Sequence, residues 1–571
     1  MTATATKSLP SMLLAHAAER PDAVALREKH RGLWRETTWA QYAERAARVG
    51  LGLRALGVTP GDVVAIHAEN RPEWVLADLG AQGLGAIVTG IYPTSPAAEV
   101  DYLLGHSEAV VLIAEDEEQL DKALEVRANL PALRRIVVVD PRNIRGLEDD
   151  EMLMTFAELE ALGEQADRSE WDAAVERLEP DATAIIVYTS GTTGPPKGAM
   201  ISHGNLVAAA EAFLQVYDVG PDDEVLSYLP LCHIAERLFS VIDALAAGYV
   251  VNFGEGGESF MQDLRDVQPT FFLGVPRVWE KLLAGVEIRM QDASPLKRRI
   301  HRAGWLRRPL REKLGMSRCR IALSGAAPIA PQVLETFRDL GVPIREGYGQ
   351  TENTAVCTFT PADDVRIGTV GKAAPGVELR IAEDVEILTR SAGVFKGYLK
   401  NEDATRETID AEGWLHTGDV GELDADGFLR ITDRKKDIII TAGGKNISPS
   451  EIENKLKVSP YVREAIVVGD RRKYLVALIG IEGDTVGDWA TRRGLPFTTY
   501  ADLSGKPEVR ELIDGVVQQV NAELAQVEGI KKFALLEKEL DHEDGELTAT
   551  QKVKRRAIEE QFTREIEELY A

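Results

Sequence analysis

Cysteine is scarce in this chain: 571 residues contain three, Cys232, Cys319 and Cys357, far apart and in no CxxC or Cys/His ligand pattern. That excludes a disulfide scaffold and a cysteine-based zinc site, and free thiols in a reducing, cytoplasmic compartment are the simpler expectation. Long apolar runs are also missing. The run 474–481 is bounded by Arg472, Lys473 and Glu482, well short of the roughly 18 residues of a spanning helix. The apolar run 12–15 is too short for a signal peptide, so no secretory leader is expected. Positive charge is in deficit, with 66 Lys+Arg against 92 Asp+Glu and a net charge of −26. Such a field repels phosphate backbones, so nucleic acid is not an expected partner.

What is present reads as a multidomain α/β protein. Through the first 140 residues, helical patterns at 39–56, 72–83 and 97–104 alternate with β-branched runs at 62–67, 86–89, 109–113 and 136–139. Strand and helix in alternation predict βα units and sheets covered on both faces. Runs at 184–187 and 271–273 continue the pattern, so the large N-terminal body is expected to hold more than one sheet. From about Gly371, short runs between turn signals (377–381, 385–389, 428–432) predict a small antiparallel β subdomain. After the charged run 433–437 a smaller α+β unit begins, with a helix at 450–458 and strands at 462–468 and 474–481. The expected organisation is an N-terminal domain 1–432, a linker 433–437 and a C-terminal domain 438–571.

The segment Tyr188-Thr189-Ser190-Gly191-Thr192-Thr193-Gly194-Pro195-Pro196-Lys197-Gly198 follows an apolar strand. Hydroxyls and exposed backbone N–H groups at a glycine turn can wrap phosphate oxygens, and Lys197 can neutralise them. A nucleoside triphosphate suits this loop. It is not a Walker A loop, because Gly198 stands where that motif needs Ser or Thr.

Here the chain resembles the adenylate-forming superfamily of acyl-CoA synthetases, peptide-synthetase adenylation domains and luciferases. Further blocks stand in that family's order: Leu323-Ser324-Gly325-Ala326-Ala327-Pro328, Gly347-Tyr348-Gly349-Gln350-Thr351-Glu352, Gly413 through Asp419, Asp433-Arg434, Gly443 through Pro449, and Thr550 through Arg555. The resemblance implies ATP, CoA and Mg²⁺. Tyr348 would stack on adenine, with Gly325, Ala326, Ala327, Glu346, Gly347, Gly349 and Gln350 around it. Asp419 would hold the ribose beside Arg434, Thr351 would meet the α-phosphate, and Glu352 would bind Mg²⁺. Lys552 would bridge the substrate carboxylate and the α-phosphate, a point charge where negative charge accumulates. The family turns its C-terminal domain about a hinge, which by alignment is Lys436. That motion exchanges Lys552 for the loop carrying Gly443, Gly444 and Lys445, which serves the CoA step.

The block from Gly413 to Asp437, the segment Leu229 to Arg237 and Gly274 through Lys281 resemble long-chain fatty acyl-CoA synthetases, which makes a long-chain fatty acid the expected substrate. His233 and Val275 would lie on the acyl side, a histidine packed for structural reasons being the alternative. The expected absence of an N-terminal anchor resembles bacterial versions, and that of a carrier-protein domain argues against a peptide-synthetase module. The alternatives are an acyl-AMP ligase loading a carrier protein, a ligase for a steroid, bile or aryl acid, and a non-catalytic nucleotide sensor. Two departures stand out: Asp384-Val385 where relatives often have Asp-Gly, and Arg390-Ser391-Ala392-Gly393 where they have Arg-Gly-Pro-Gly. With valine at 385, the turn is expected to avoid positive φ. The segment from Lys297 to Arg320 carries ten Lys+Arg and one acid. With Trp305, Leu306 and Leu310 interleaved it is a candidate peripheral membrane contact, a solvated helical face being the alternative. Nothing in these motifs requires or forbids a homodimer.

Overall fold

The computed structural model describes residues 8–146, 149–189, 194–291, 307–542, 544–548 and 552–571. Its largest sheet has eight strands. Six are parallel: Ile87–Ile91, Val63–His67, Val111–Ala114, Arg135–Val138, Leu153–Thr155 and Thr183–Thr189. The strand Lys197–Ser202 runs back along Thr183–Thr189, and the short strand Gly397–Tyr398 closes that edge. The β-branched runs are continuous because both sheet faces are covered. Val64 and Ile66 enter one core with the helices Trp39–Ala55 and Pro72–Gly83, while Val63 and Ala65 enter another with Ala97–Ser107 and Glu117–Val126. That is the period-two alternation of a strand. In the first core Trp171 is fully buried and donates Nε1–H to Gly80 O at 3.1 Å; a Cβ on Gly83 would lie 2.3 Å from its ring.

A second sheet has Phe271–Gly274, Ile321–Ser324 and Ile344–Tyr348 in parallel, followed by the antiparallel pair Thr358–Phe359 and Lys372–Ala373. A third joins Glu224–Ser227, Val250–Phe253 and the opening hairpin Val24–His30/Leu33–Thr38. The run of alternation through residue 140 gives no warning of this hairpin, which belongs to a sheet completed some 200 residues later. The antiparallel subdomain comprises Glu378–Ile381, Glu386–Arg390, Leu415–Leu423 and Leu429–Arg434.

Asp433 and Arg434 thus belong to a strand, and the turn left between the two units is 435–437, with Lys436 at its centre. The C-terminal unit packs Val462–Val468, Leu475–Ile481 and Ile530–Leu535 under the helices Pro449–Lys457 and Pro507–Asn521.

The expectation for Val385 is overturned. It adopts φ +62° and is 53% exposed, its N–H donating to Ala382 O and its carbonyl accepting from Gly421 N. Those two bonds fix the turn, and the β-branched side chain tolerates a left-handed backbone because it points into solvent. Ten of the 24 residues of the basic segment, 297–306, with four of its ten Lys and Arg, lie outside the described residues. Of the remainder, Arg318 pairs with Glu224 at 3.1 Å and Arg320 with Asp223 at 2.5 Å, so part of its charge is committed inside the fold. No helix among the described residues is long and apolar enough to cross a membrane.

Candidate active site

Three of the motif loops leave the carboxyl ends of adjacent parallel strands, the place where open α/β sheets bind ligands. Val275 follows Phe271–Gly274, Gly325 to Ala327 follow Ile321–Ser324, and Gly349 to Glu352 follow Ile344–Tyr348. Ala326 sits at φ +67°, so the chain turns away sharply and leaves backbone rather than side chain against the opening. Glu346, in the last strand, has its carboxyl pushed up to about 8 by burial alone. It stands two residues before Tyr348 on the same strand.

Asp419 organises the next part. It lies opposite Arg434 in the antiparallel ladder, and Arg434 Nε reaches its Oδ1 at 2.9 Å. Its Oδ2 accepts from Tyr348 Oη at 2.6 Å and Gln350 Nε2 at 2.7 Å, while Gln350 also donates to Thr417 O at 2.8 Å. Asp419 therefore ties the antiparallel subdomain to the loop after Tyr348. Thr351, Glu352 and Asn353 form one 3₁₀ turn, with Gln350 and Asn353 bonding reciprocally across its start.

One participant escaped the sequence reading. Tyr398 donates its hydroxyl to Glu352 Oε1 at 2.6 Å, and Lys197 Nζ lies 5.0 Å from the centre of its ring. Tyr398 thus joins the phosphate-loop lysine to the acid of the second motif. The only sequence signal was an aromatic next to a glycine, Gly397, in a two-residue strand. Across the loop, Thr189 pairs with Lys197 and Gly194 takes φ +87°; Ser190, Gly191, Thr192 and Thr193 lie outside the described residues.

Lys552 comes into this cleft from the C-terminal unit. It is reachable by solvent yet surrounded by protein, and its ammonium is pushed down to about 8 by desolvation and then by the Arg434 charge, with Asp419 and Glu352 acting the other way. His233 stands near it, its pKa held down at about 4 by burial and by the Lys552 charge. His233 Nδ1 accepts from Ala235 N at 3.2 Å, so the ring is neutral with its proton on Nε2, free to donate. Behind it, Glu236 accepts from Ser227 at 2.7 Å and Ser240 at 2.5 Å, and burial pushes its carboxyl up to about 7.

Gly443, Gly444 and Lys445 are not brought to the cleft. Lys445 Nζ is bound to Glu528 at 2.8 Å inside the C-terminal unit. Among the described residues no three His, Cys, Asp or Glu side chains cluster as a ready-made metal site. Glu352 gives one carboxylate oxygen to Tyr398 and keeps the other. That donor set fits Mg²⁺, which takes one or two carboxylates and completes its shell with phosphate and water.

The AMP-binding enzyme family model matches residues 13–399, and that of the AMP-binding enzyme C-terminal domain matches residues 436–571. The chain belongs to the AMP-binding enzymes. This AMP-binding enzyme is 35% identical to the long-chain-fatty-acid–CoA ligase FadD15 of Mycobacterium bovis, over 99% of this chain and 97% of that one. It is 33% identical to the human long-chain-fatty-acid–CoA ligase ACSBG1, over 96% and 83%. Among solved structures, the adenylation domain of a carboxylate reductase from Mycobacterium chelonae superposes with a TM-score of 0.83 at 22% identity, covering 99% of this chain and 91% of that one. The anthranilate–CoA ligase AuaEII with anthranoyl-AMP gives 0.78 at 23%, covering 98% of both. At those identities the likeness is one of fold.

Proposed function

We propose that this AMP-binding enzyme is a long-chain-fatty-acid–CoA ligase that forms an acyl-adenylate and then a thioester, releasing pyrophosphate and AMP. The observation that carries the reading is the meeting of Lys552, from the C-terminal unit, with Glu352, Asp419, Arg434 and His233 of the N-terminal body in one cleft. The full-length similarity to named long-chain ligases supports the substrate class.

A carboxylate is a poor acyl donor because its leaving group would be oxide. Attack of a carboxylate oxygen on the α-phosphorus, with the bond to pyrophosphate breaking, turns that oxygen into part of a good leaving group. The reactants are all anionic, so the site must supply positive charge already in place, where it needs no reorganisation. Lys197 would serve the outer phosphates and Lys552 the α-phosphate and the carboxylate. Neutral His233 would donate Nε2–H to the acid. Asp419 would accept from the ribose hydroxyls, Arg434 holding its orientation, and Glu346 would meet the purine edge beside the Tyr348 ring. Mg²⁺ held by Glu352 would neutralise phosphate charge as the in-line displacement proceeds. In the second half, the CoA sulfur attacks the acyl carbon and the bond to AMP breaks.

The test is ATP–pyrophosphate exchange and AMP release across a panel of acids, with and without CoA. Long straight-chain acids should drive exchange, and CoA should yield the thioester. Preference for an aryl or steroid acid would overturn the substrate class. Acyl-AMP that CoA leaves unconsumed would overturn the second half.

A further inference from the structure

Asp433 occupies the last buried position before the turn 435–437 and is 5% exposed. Four donors converge on its carboxylate. Arg434 N and Ser450 Oγ reach Oδ1 at 2.7 and 2.9 Å, and Ser448 Oγ and Ser450 N reach Oδ2 at 2.6 and 3.2 Å. Three of the four come from beyond the turn, from the start of the helix Pro449–Lys457, whose positive end favours an anion there. Ser448, the cap of that helix, also has its Oγ 3.0 Å from Thr432 O, so its one proton is shared between that carbonyl and Asp433.

The middle of this helix leads towards Lys552. Glu453 in the helix binds Arg555 Nη2 at 2.7 Å, and Arg555 Nη1 donates to Val467 O at 2.8 Å. Arg555 lies three residues after Lys552. A fixed helix start at Ser448 and Ser450 is therefore transmitted through Glu453 and Arg555 to the position of the lysine. Ser448 also ends the loop that carries Gly443, Gly444 and Lys445, so Asp433 fixes the end of that loop. Two further contacts close the same interface at its edges: Arg277 with Glu482, and His542 Nε2 with Glu99 Oε2 at 3.2 Å.

We infer that Asp433 is a clasp that holds the C-terminal domain in the adenylating arrangement and must release Ser448 and Ser450 before the thioester step. It is a positioning residue, acting on the chemistry through Lys552. The inference rests on the two-step ligase reading and names the contact that separates the steps.

The test uses the full-length chain with Asp433→Ala and Asp433→Asn, the latter keeping an acceptor oxygen without the charge. Pyrophosphate exchange should fall about three- to tenfold in Asp433→Ala and less in Asp433→Asn, while thioester formation from supplied acyl-AMP is unchanged or faster, as a population shift away from one state requires. Equal losses in both half-reactions, or no loss in either, would overturn the clasp. A second readout does not need catalysis. The three native cysteines are buried, so dyes attached through Glu402→Cys and Arg564→Cys report the distance between the domains by energy transfer. Asp433→Ala should broaden or shift the distribution, and an unchanged one refutes the clasp. If the parent chain exchanges no pyrophosphate with any fatty acid, the ligase reading falls, and the distance distributions still decide the clasp.

Discussion

In the role proposed for Lys552, its lowered pKa makes the first half-reaction dependent on pH in a way that can be separated from everything else. A lysine held near 8 is about nine-tenths ammonium at pH 7 and about one-tenth at pH 9, whereas one at the ordinary 10.4 stays charged throughout. In that role the ammonium is the active form, so kcat/KM for pyrophosphate exchange should fall about tenfold between pH 7 and 9. Bound ATP brings negative charge beside the lysine, which raises its pKa. The alkaline limb of kcat should then lie above that of kcat/KM. The exchange assay omits CoA, so ionisation of the thiol does not enter. Lys552→Arg keeps a charge that does not titrate, and its slower exchange should be flat across the same window. Lys552→Ala should lose about 10²- to 10³-fold, the usual cost of one preorganised electrostatic group. A limb of the same midpoint in Lys552→Arg, or a flat parent profile from pH 7 to 9.5, would refute the assignment.

Stability is informative at two other places. Val385→Gly relieves a β-branched residue at φ +62°, a strain of about 1–2 kcal/mol, against a backbone-entropy cost of about 0.5–1 kcal/mol. The net gain of up to about 1.5 kcal/mol should appear as a small rise in thermal midpoint; a fall would mean that the turn is unstrained. Asp78 and Arg237 form a fully buried ion pair, with the guanidinium 4.9 Å from the centre of the Trp74 ring. Asp78→Ala leaves an uncompensated buried charge and should cost about 3–5 kcal/mol by denaturant unfolding, while Asp78→Leu with Arg237→Met should recover most of it. Equal destabilisation in both would show that packing, not charge, governs the site.

The nucleotide motifs were readable because each is local. A hydroxyl-rich loop after an apolar strand, or Tyr348, Gln350, Thr351 and Glu352 within five positions, carries its chemistry in adjacent residues. The sheets were readable for a related reason: strands buried on both faces show as unbroken apolar runs. Tyr398 was not readable. It lies 46 positions from Glu352 and about 200 from Lys197, and meets them only because Gly397–Tyr398 pairs with Ala199 and Met200 at a sheet edge. The clasp at Asp433 was hidden differently. The charged run 433–437 reads as solvated linker, and only folding buries its first member under Ser448 and Ser450.

Family and class of chemistry follow from local order along the chain, as do most of the residues proposed for the nucleotide side, because a phosphate loop or a purine slot is built from neighbours whose spacing survives without the fold. The arrangement of the two domains does not. Which of Lys552 and the Gly443 loop faces the cleft depends on contacts between residues tens to hundreds of positions apart, and their geometry exists only once both domains have formed and docked.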